Sequence, residues 1–283
     1  MILVTGSNGI CGSAIFESIL NEKYSIIYTD IKQNRNKNFV VADLTDLNSI
    51  KSLFDKFKFD TLIHFGGSSD PKTEWKDVLN NNITGTYNIL NVAVEKGIKK
   101  IIFASTNHVM GMYEINNPLK CFSLPEASSN KEIIDNKMDV KPDSLYGVSK
   151  LFGENLCKFY SENFNVSCYI IRIGSIREKN NDHPYIYAEE GVQKGLWEKG
   201  SSEYKFQEKR LKSIWMSRRD FVHMIDKLLD YTDLENKYDI FYATSLNSRR
   251  FFDIETAIEK LDLNLKDNSE DVLYRDIYGF DNN

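Results

Sequence analysis

The chain has 283 residues, of which 41% are hydrophobic, with 41 acidic against 36 basic side chains and a formal net charge of −5. That mildly acidic balance, without a Lys/Arg-rich run or a basic stripe interleaved with aromatics, argues against nucleic acid as a partner. No apolar stretch reaches the length of a membrane span, and Met1 leads straight into an apolar run that leaves no room for a signal peptide, so a soluble cytoplasmic α/β protein is expected.

Met1 to Val4 reads as a buried strand, after which Ile10, Ala14, Ile15, Ile19 and Leu20 recur with helical period. Gly6, Gly9 and Gly12 therefore fall on a strand-to-helix turn. There the first permits a tight bend, the second a close approach of backbone to a pyrophosphate, and the third close packing of helix on strand. Ser25 to Thr29 is a second strand that ends in Asp30, an acid placed to accept hydrogen bonds from the adenosine ribose and to repel a 2′-phosphate. NAD is favoured over NADP, although Lys32 and Arg35 follow closely.

Phe39 to Val41 is a short strand, Asn48 to Phe57 an amphipathic helix, and Thr61 to Phe65 a fourth strand that runs into the turn Gly66-Gly67-Ser68-Ser69. A helix over Val78 to Val94, closed by Gly97, precedes the strand Lys100 to Ala104. Residues 111–142, with Pro118, Pro125 and Pro142, read as a long excursion over the active-site edge. Asp143 to Phe164 is the next long helix and Ser167 to Ile173 the next strand. Residues 176–210 form a second interruption, polar and partly helical around Glu189 to Trp197, and loops of this length inside a domain are usually functional. A helix over Asp220 to Asp230, a strand over Asp239 to Tyr242, a helix over Ile254 to Leu261 and an acidic end from Asn264, with Tyr274, Tyr278 and Phe280, complete the chain.

This alternation predicts an α/β fold, a doubly wound parallel sheet of the Rossmann type, with a small C-terminal substrate-binding portion. Residues 1–175 are expected to form the NAD-binding core with the catalytic helix. Residues 176–283 form a mixed C-terminal part of the same compact unit. Cys11, Cys121, Cys157 and Cys168 lack metal-ligand spacing, and His64, His108, His183 and His223 form no ligand pair at helical spacing, so no metal is expected.

Tyr146 and Lys150, four residues apart on one helix, bring a phenol together with an ammonium group. A tyrosine hydroxyl is a poor base at neutral pH unless nearby positive charge stabilises the phenolate, which Lys150 and an oxidised nicotinamide together supply. Tyr146 then serves as general base for a substrate hydroxyl, and Thr106, at the carboxyl end of its strand, holds the oxygen.

Taken with Thr5-Gly6-x-x-Gly9-x-x-Gly12, Asp43-Leu44-Thr45, Asn82-x-x-Gly85-Thr86 and Ser105-Thr106, the Tyr146-x-x-x-Lys150 pair resembles the extended short-chain dehydrogenase/reductase (NAD-dependent epimerase/dehydratase) superfamily over nearly the whole chain. The resemblance implies that Asp43 and Leu44 meet the adenine and that Asn82 lies near the nicotinamide half. Gly6, Asn8, Gly9, Ile10, Gly12, Asp30, Phe65, Gly66, Gly67, Tyr146, Lys150 and Ile173 are the remaining implied cofactor contacts.

Finer similarity points to enzymes acting on sugars at C1. His64-Phe65-Gly66-Gly67-Ser68-Ser69, Ala104-Ser105-Thr106-Asn107-His108-Val109, Arg172-Ile173-Gly174-Ser175 and Ser213-Ile214-Trp215-Met216-Ser217 are similar to runs of uronate dehydrogenases, and Asp70-Pro71 is closer to archaeal NAD-dependent glucose-6-phosphate dehydrogenases. That likeness implies sugar contacts at Ser69, Thr106, Asn107, His108, Ser175 and Arg210, the arginine pairing with an anionic group. The implied reaction is oxidation of a sugar, uronate or sugar phosphate to a lactone, by a homodimer built through the two long helices. The stretch between Ser175 and Arg210 is longer than in the uronate enzymes and could act as a lid. Arg219-Asp220-Phe221-Val222-His223 also resembles nucleotide-sugar epimerases and reductases, the alternative reading, whereas Thr106-Asn107-His108 lacks the acidic pair of the dehydratases. A protein that binds NAD without turnover is a third reading, set against an intact Tyr146 and Lys150.

Overall fold

The computed structural model describes residues 1–34, 37–123, 130–233 and 235–271. Arg35, Pro125, Tyr274, Tyr278 and Phe280 lie outside the described residues.

In chain order the elements are β1 (Ile2–Thr5), α1 (Ile10–Phe16), α2 (Leu20–Lys23), β2 (Ile26–Asp30), β3 (Phe39–Val41), α3 (Leu47–Lys56) and β4 (Thr61–His64). A single turn α4 (Trp75–Asp77) then passes through a π-helical turn, Val78–Thr84, into α5 (Gly85–Glu95). After these come β5 (Lys100–Thr106), α6 (Gly111–Asn116), α7 (Leu145–Phe164), β6 (Ser167–Ile173), α8 (Ile186–Gln193), α9 (Ser202–Ile214), α10 (Arg218–Asp230), β7 (Tyr238–Ala243) and α11 (Glu255–Leu261).

The strands form one seven-stranded sheet in the order β3-β2-β1-β4-β5-β6-β7. The pairings β1 with β2 and β4, β2 with β3, and β4 with β5 are parallel, as the alternation of strands and helices predicts. The order reverses between β1 and β4, and in open α/β sheets that switch point is where ligands bind, beyond the carboxyl ends of the strands. Leu3, Ile27, Leu62, Ile101 and Ile170 on the strands, with Ile50, Leu53, Ile89, Leu90 and Cys157 on the helices, make a continuous buried core that fixes those strand ends.

Cα packing divides the chain into two units. The first comprises Met1–Gly111, Val140–Arg172 and Ile225–Phe241. The second comprises Met112–Asp139, Ile173–Met224 and the described residues from Tyr242 on.

In the first unit, the long helix expected from Val78 starts earlier, at Trp75, and is interrupted by the π-helical turn. The helix expected from Asp143 begins at Leu145, because Pro142 restrains the chain before it and the Ser144 hydroxyl caps it by accepting from the Gly147 amide at 3.1 Å.

The second unit begins with the part of the 111–142 excursion that runs from Met112 to Asp139. It contains α6, a π-helical turn over Leu119–Ser123 and an isolated parallel bridge, Ile134 to Phe252. Phe122 meets Phe206 edge-on at 5.0 Å, and Tyr242 stacks on Phe252 at 4.8 Å. In 176–210 the helix α8 ends at Gln193, short of the expected Trp197. Trp197 folds back instead, its indole N–H donating to the Ala188 carbonyl at 2.9 Å, against Gly191, where a Cβ would lie 1.9 Å from the ring. Among the described residues no helix is long and apolar enough to cross a membrane, and no group of His, Cys, Asp and Glu could hold a metal ion.

Candidate active site

The loop after β1 is shaped by close backbone approach. Gly6 has φ +66°, and a Cβ there would lie 2.6 Å from the Gly66 amide nitrogen in the loop after β4. A Cβ on Gly12 would come within 2.4 Å of the Gly6 carbonyl and the Ser7 Cα. Two strand-end loops thus meet backbone to backbone at the switch point, a bare cradle of the kind that dinucleotide phosphates require.

Asp30 sits at the end of β2, where one carboxylate oxygen accepts from the Asn8 amide at 3.0 Å and the other from the Ile31 amide at 2.8 Å. Asn8 in turn donates to the Lys32 carbonyl. Asp43 accepts from the amide and the hydroxyl of Thr45, both at 2.8 Å, and the Leu44 carbonyl accepts from Asn88 at 3.0 Å. The Phe65 amide continues the β4 edge by donating to the Thr5 carbonyl.

His64, fully buried at the end of β4, bonds Thr5 Oγ1 through Nδ1 at 2.7 Å and Thr86 Oγ1 through Nε2 at 3.2 Å. Burial, reinforced by the nearby Lys150 charge, pushes its pKa down to about 3, so this ring is neutral. Asn82, also buried, accepts from the Ser68 amide at 2.7 Å and donates to the Ser68 carbonyl and to Ser149 Oγ at 3.0 and 2.9 Å. It thereby ties the loop after β4 to α7.

On α7, Tyr146 and Lys150 are 7% and 6% exposed, and the Lys150 ammonium lies 5.9 Å from the Tyr146 ring centre. Burial brings Lys150 down to about 8. Burial pushes the Tyr146 phenol above its ordinary range, and a hydrogen bond with Thr106 acts in the opposite direction. The phenol thus lies beside a buried cation, on the same helix.

The neighbouring Asn107 is 2% exposed, and its amide nitrogen has no hydrogen-bond partner among the described residues. His108 sets its ring edge-on to Tyr146, with centres 5.9 Å apart, and its Nδ1 lies 2.7 Å from the Asp143 carboxylate.

Beneath this layer, Glu154 on α7 takes a bidentate pair of bonds from Arg172 at 3.0 and 2.8 Å and a third from the Ser105 hydroxyl, all three residues being buried. These bonds fix the Ser105-Thr106 corner against α7. Asp143 and Glu154 escape sequence reasoning because neither sits in the motif spacing. The signal available for Asp143 is its place immediately before the helix-capping Ser144.

Ser69 lies exposed in the loop after β4. Ile173, Ser175 and Arg210 belong to the second unit. Ile173 is buried at the end of β6, and Ser175 bridges to Trp215, donating its amide to the Ile214 carbonyl and accepting from the Met216 amide. Arg210 donates through Nε and Nη2 to both carboxylate oxygens of the buried Glu114 at 2.9 and 2.6 Å. This is the bidentate grip expected there for a substrate anion, held by a side chain of the same unit.

The profile of the NAD dependent epimerase/dehydratase family matches residues 2–231. The chain belongs to that family. NAD is the cofactor of this epimerase/dehydratase family, and the bare glycine cradle with Asp30 at the end of β2 fits it. An NAD-dependent glucose-6-phosphate dehydrogenase of Haloferax volcanii is 28% identical over 281 residues, covering 96% of this chain and 95% of its own. A uronate dehydrogenase of Pseudomonas syringae pv. tomato is 28% identical over 274 residues, covering 95% of this chain and 82% of its own. Among solved structures, a mutant uronate dehydrogenase of Agrobacterium tumefaciens complexed with NAD is similar at a TM-score of 0.71 and 25% identity, over 98% of this chain and 88% of that one.

Proposed function

We propose that this family member is an NAD-dependent sugar dehydrogenase that oxidises the anomeric hydroxyl of a sugar or sugar acid to a lactone. The observation that carries the reading is the buried Lys150 ammonium 5.9 Å from the ring of the buried Tyr146, with the His108 ring edge-on to the same phenol and the orphaned Asn107 amide on the residue before it. The likeness to named uronate and glucose-6-phosphate dehydrogenases over nearly the whole chain supports the same class.

NAD, when bound, supplies the hydride acceptor. Thr106 and Tyr146 together hold the C1 hydroxyl, and Tyr146 takes its proton as the hydride leaves the same carbon. The Lys150 charge stabilises the phenolate through which that proton passes. Asn107 offers its amide to a second sugar oxygen, which relieves the cost of burying an unpaired donor. Asp30 holds the ribose hydroxyls and disfavours a 2′-phosphate, so NAD is preferred to NADP. In this reading residues 1–175 carry the cofactor and the catalytic helix. The setting is cytoplasmic, in keeping with four free cysteines.

The test is reduction of NAD by the purified chain with galacturonate, glucuronate, glucose 6-phosphate and neutral aldoses offered separately, with NADP as control. NADH formation with one of them, abolished in Tyr146→Phe while NAD still binds, is the expected result. Silence with every sugar in protein that binds NAD would overturn the C1 reading in favour of nucleotide sugars. Survival of the biological effect in Tyr146→Phe would favour binding without turnover.

A further inference from the structure

Two short segments of the first unit are locked together around the catalytic tyrosine. The Asp143 amide donates to the His108 carbonyl at 3.2 Å and the Lys141 amide to the Val109 carbonyl at 3.0 Å. A Cβ on Gly147 would stand 2.6 Å from the His108 carbonyl oxygen, and one on Gly111 would overlap the Asp143 carboxylate at 1.9 Å, so both contacts exist only because these residues are glycines. Within this clamp the two oxygens of Asp143 have different tasks. One accepts from the Ser144 hydroxyl at 2.8 Å, which in turn caps the first turn of α7. The other lies 2.7 Å from His108 Nδ1.

An ionised carboxylate only accepts, so the proton of this second bond resides on Nδ1. In the neutral ring Nε2 is then a bare acceptor. The His108 side chain is 20% exposed and stands edge-on to Tyr146, whereas the Asp143 side chain is 9% exposed. The ring therefore reaches outward while its anchor stays inside. The preceding residue, Asn107, brings an unused buried donor. A donor and an acceptor on consecutive residues suit hydroxyl groups, which accept and donate at once.

We infer that Asp143 is a positioning residue that holds His108 as the Nδ1–H tautomer, so that Nε2 accepts a hydrogen bond from a substrate hydroxyl next to the one Tyr146 deprotonates. The inference rests on the sugar dehydrogenase reading for its substrate, while the tautomer itself does not depend on that reading.

The test has two arms. In the first, full-length protein labelled with nitrogen-15 at histidine and saturated with NAD is examined by long-range proton–nitrogen correlation, the His108 signals being assigned by their loss in His108→Phe. Protonated Nδ1 and bare Nε2 are expected in the wild type. In Asp143→Asn, whose amide can donate to Nδ1, the opposite tautomer is expected. Wild-type His108 protonated on Nε2 would overturn the proposal whether or not any sugar is turned over.

The second arm uses the sugar that gives the most NADH in the panel. Asp143→Asn should raise KM by about ten- to a hundredfold, the worth of one buried hydrogen bond turned from acceptor to clashing donor, with a smaller fall in kcat and unchanged NAD affinity. In a His108→Phe background the same substitution should add nothing further to KM. An effect of equal size in both backgrounds would mean that Asp143 acts only through the α7 terminus, and the proposal would fall.

Discussion

Arg210 turns its fork onto Glu114, pairing Nε and Nη2 with the two carboxylate oxygens at 2.9 and 2.6 Å. Glu114 is 5% exposed, so the pair is largely withdrawn from solvent and its members are costly to separate. On the proposed reading, an anionic substrate that seeks Arg210 competes with a carboxylate already in place. Glu114→Gln should therefore raise the ratio of kcat/KM for galacturonate over a neutral aldose by about tenfold, as the guanidinium trades a charged partner for a neutral one. Initial rates of NADH formation with both sugars measure the ratio, and no change would mean that the pair has no part in selecting the substrate's charge.

Lys150 has its pKa lowered to about 8, burial being the main cause. The ammonium is charged below that value and neutral above it, and in the proposed mechanism the phenolate of Tyr146 needs the charge. A descending limb of kcat/KM near pH 8 is expected in a pH–rate profile. Lys150→Arg, whose charge persists far above that range, should remove the limb while lowering the overall rate, because the guanidinium does not fit the lysine's place.

His64 contributes a pH dependence of stability with a definite sign. Its folded pKa of about 3 lies below the ordinary histidine value of 6.5, so between these limits the unfolded chain binds the proton and the native ring does not. Its contribution is fully present above pH 6.5 and is lost as the pH falls toward 3, at about 1.4 kcal/mol per pH unit inside that window. Urea unfolding at pH 5 and pH 7 should show a smaller difference for His64→Gln than for the wild type. Equal differences would show that His64 stays neutral in both states.

Leu79 is 39% exposed on the π-helical turn before α5, Tyr87 on α5 is 48% exposed, and Val148 on α7 is 49% exposed. Apolar side chains of this size left in solvent on two long helices are what a self-associating face requires. A homodimer through these helices is expected by light scattering, and Tyr87→Glu with Val148→Glu should yield a monomer that keeps its secondary structure. A wild-type monomer at micromolar concentration would remove the expectation.

The alternation of strands and helices, the glycine turn after β1 and the Tyr146–Lys150 spacing were legible in the sequence because each is local. A glycine spacing on a strand-to-helix turn and two side chains four apart on one helix need no knowledge of distant residues. The helix boundaries shifted where side chains decided them, as Ser144 did by capping α7 two residues after the expected start. The order within 111–142 and 176–210 was not legible, because Phe122 finds Phe206, Ile134 finds Phe252, and Trp197 turns back on Gly191 only once the chain is folded. The partners of His108 and Arg210 stayed hidden for the same reason. Asp143 is 35 positions and Glu114 is 96 positions away along the chain.

The π-helical turn over Val78–Thr84 acts as a change of phase. Its wider turn takes in one residue more than an α-helical turn, so the faces before and after it are out of step by about 100°, the rotation of one residue. That offset lets α5 bury Ile89, Leu90 and Ala93 while Asn82 meets Ser68 and Ser149. Deleting a single residue from the turn would restore an unbroken helix and a sound core, yet swing Asn82 a quarter-turn or more away from both serines. The coupling between the loop after β4 and α7 is thus set by a count of residues as much as by their identity.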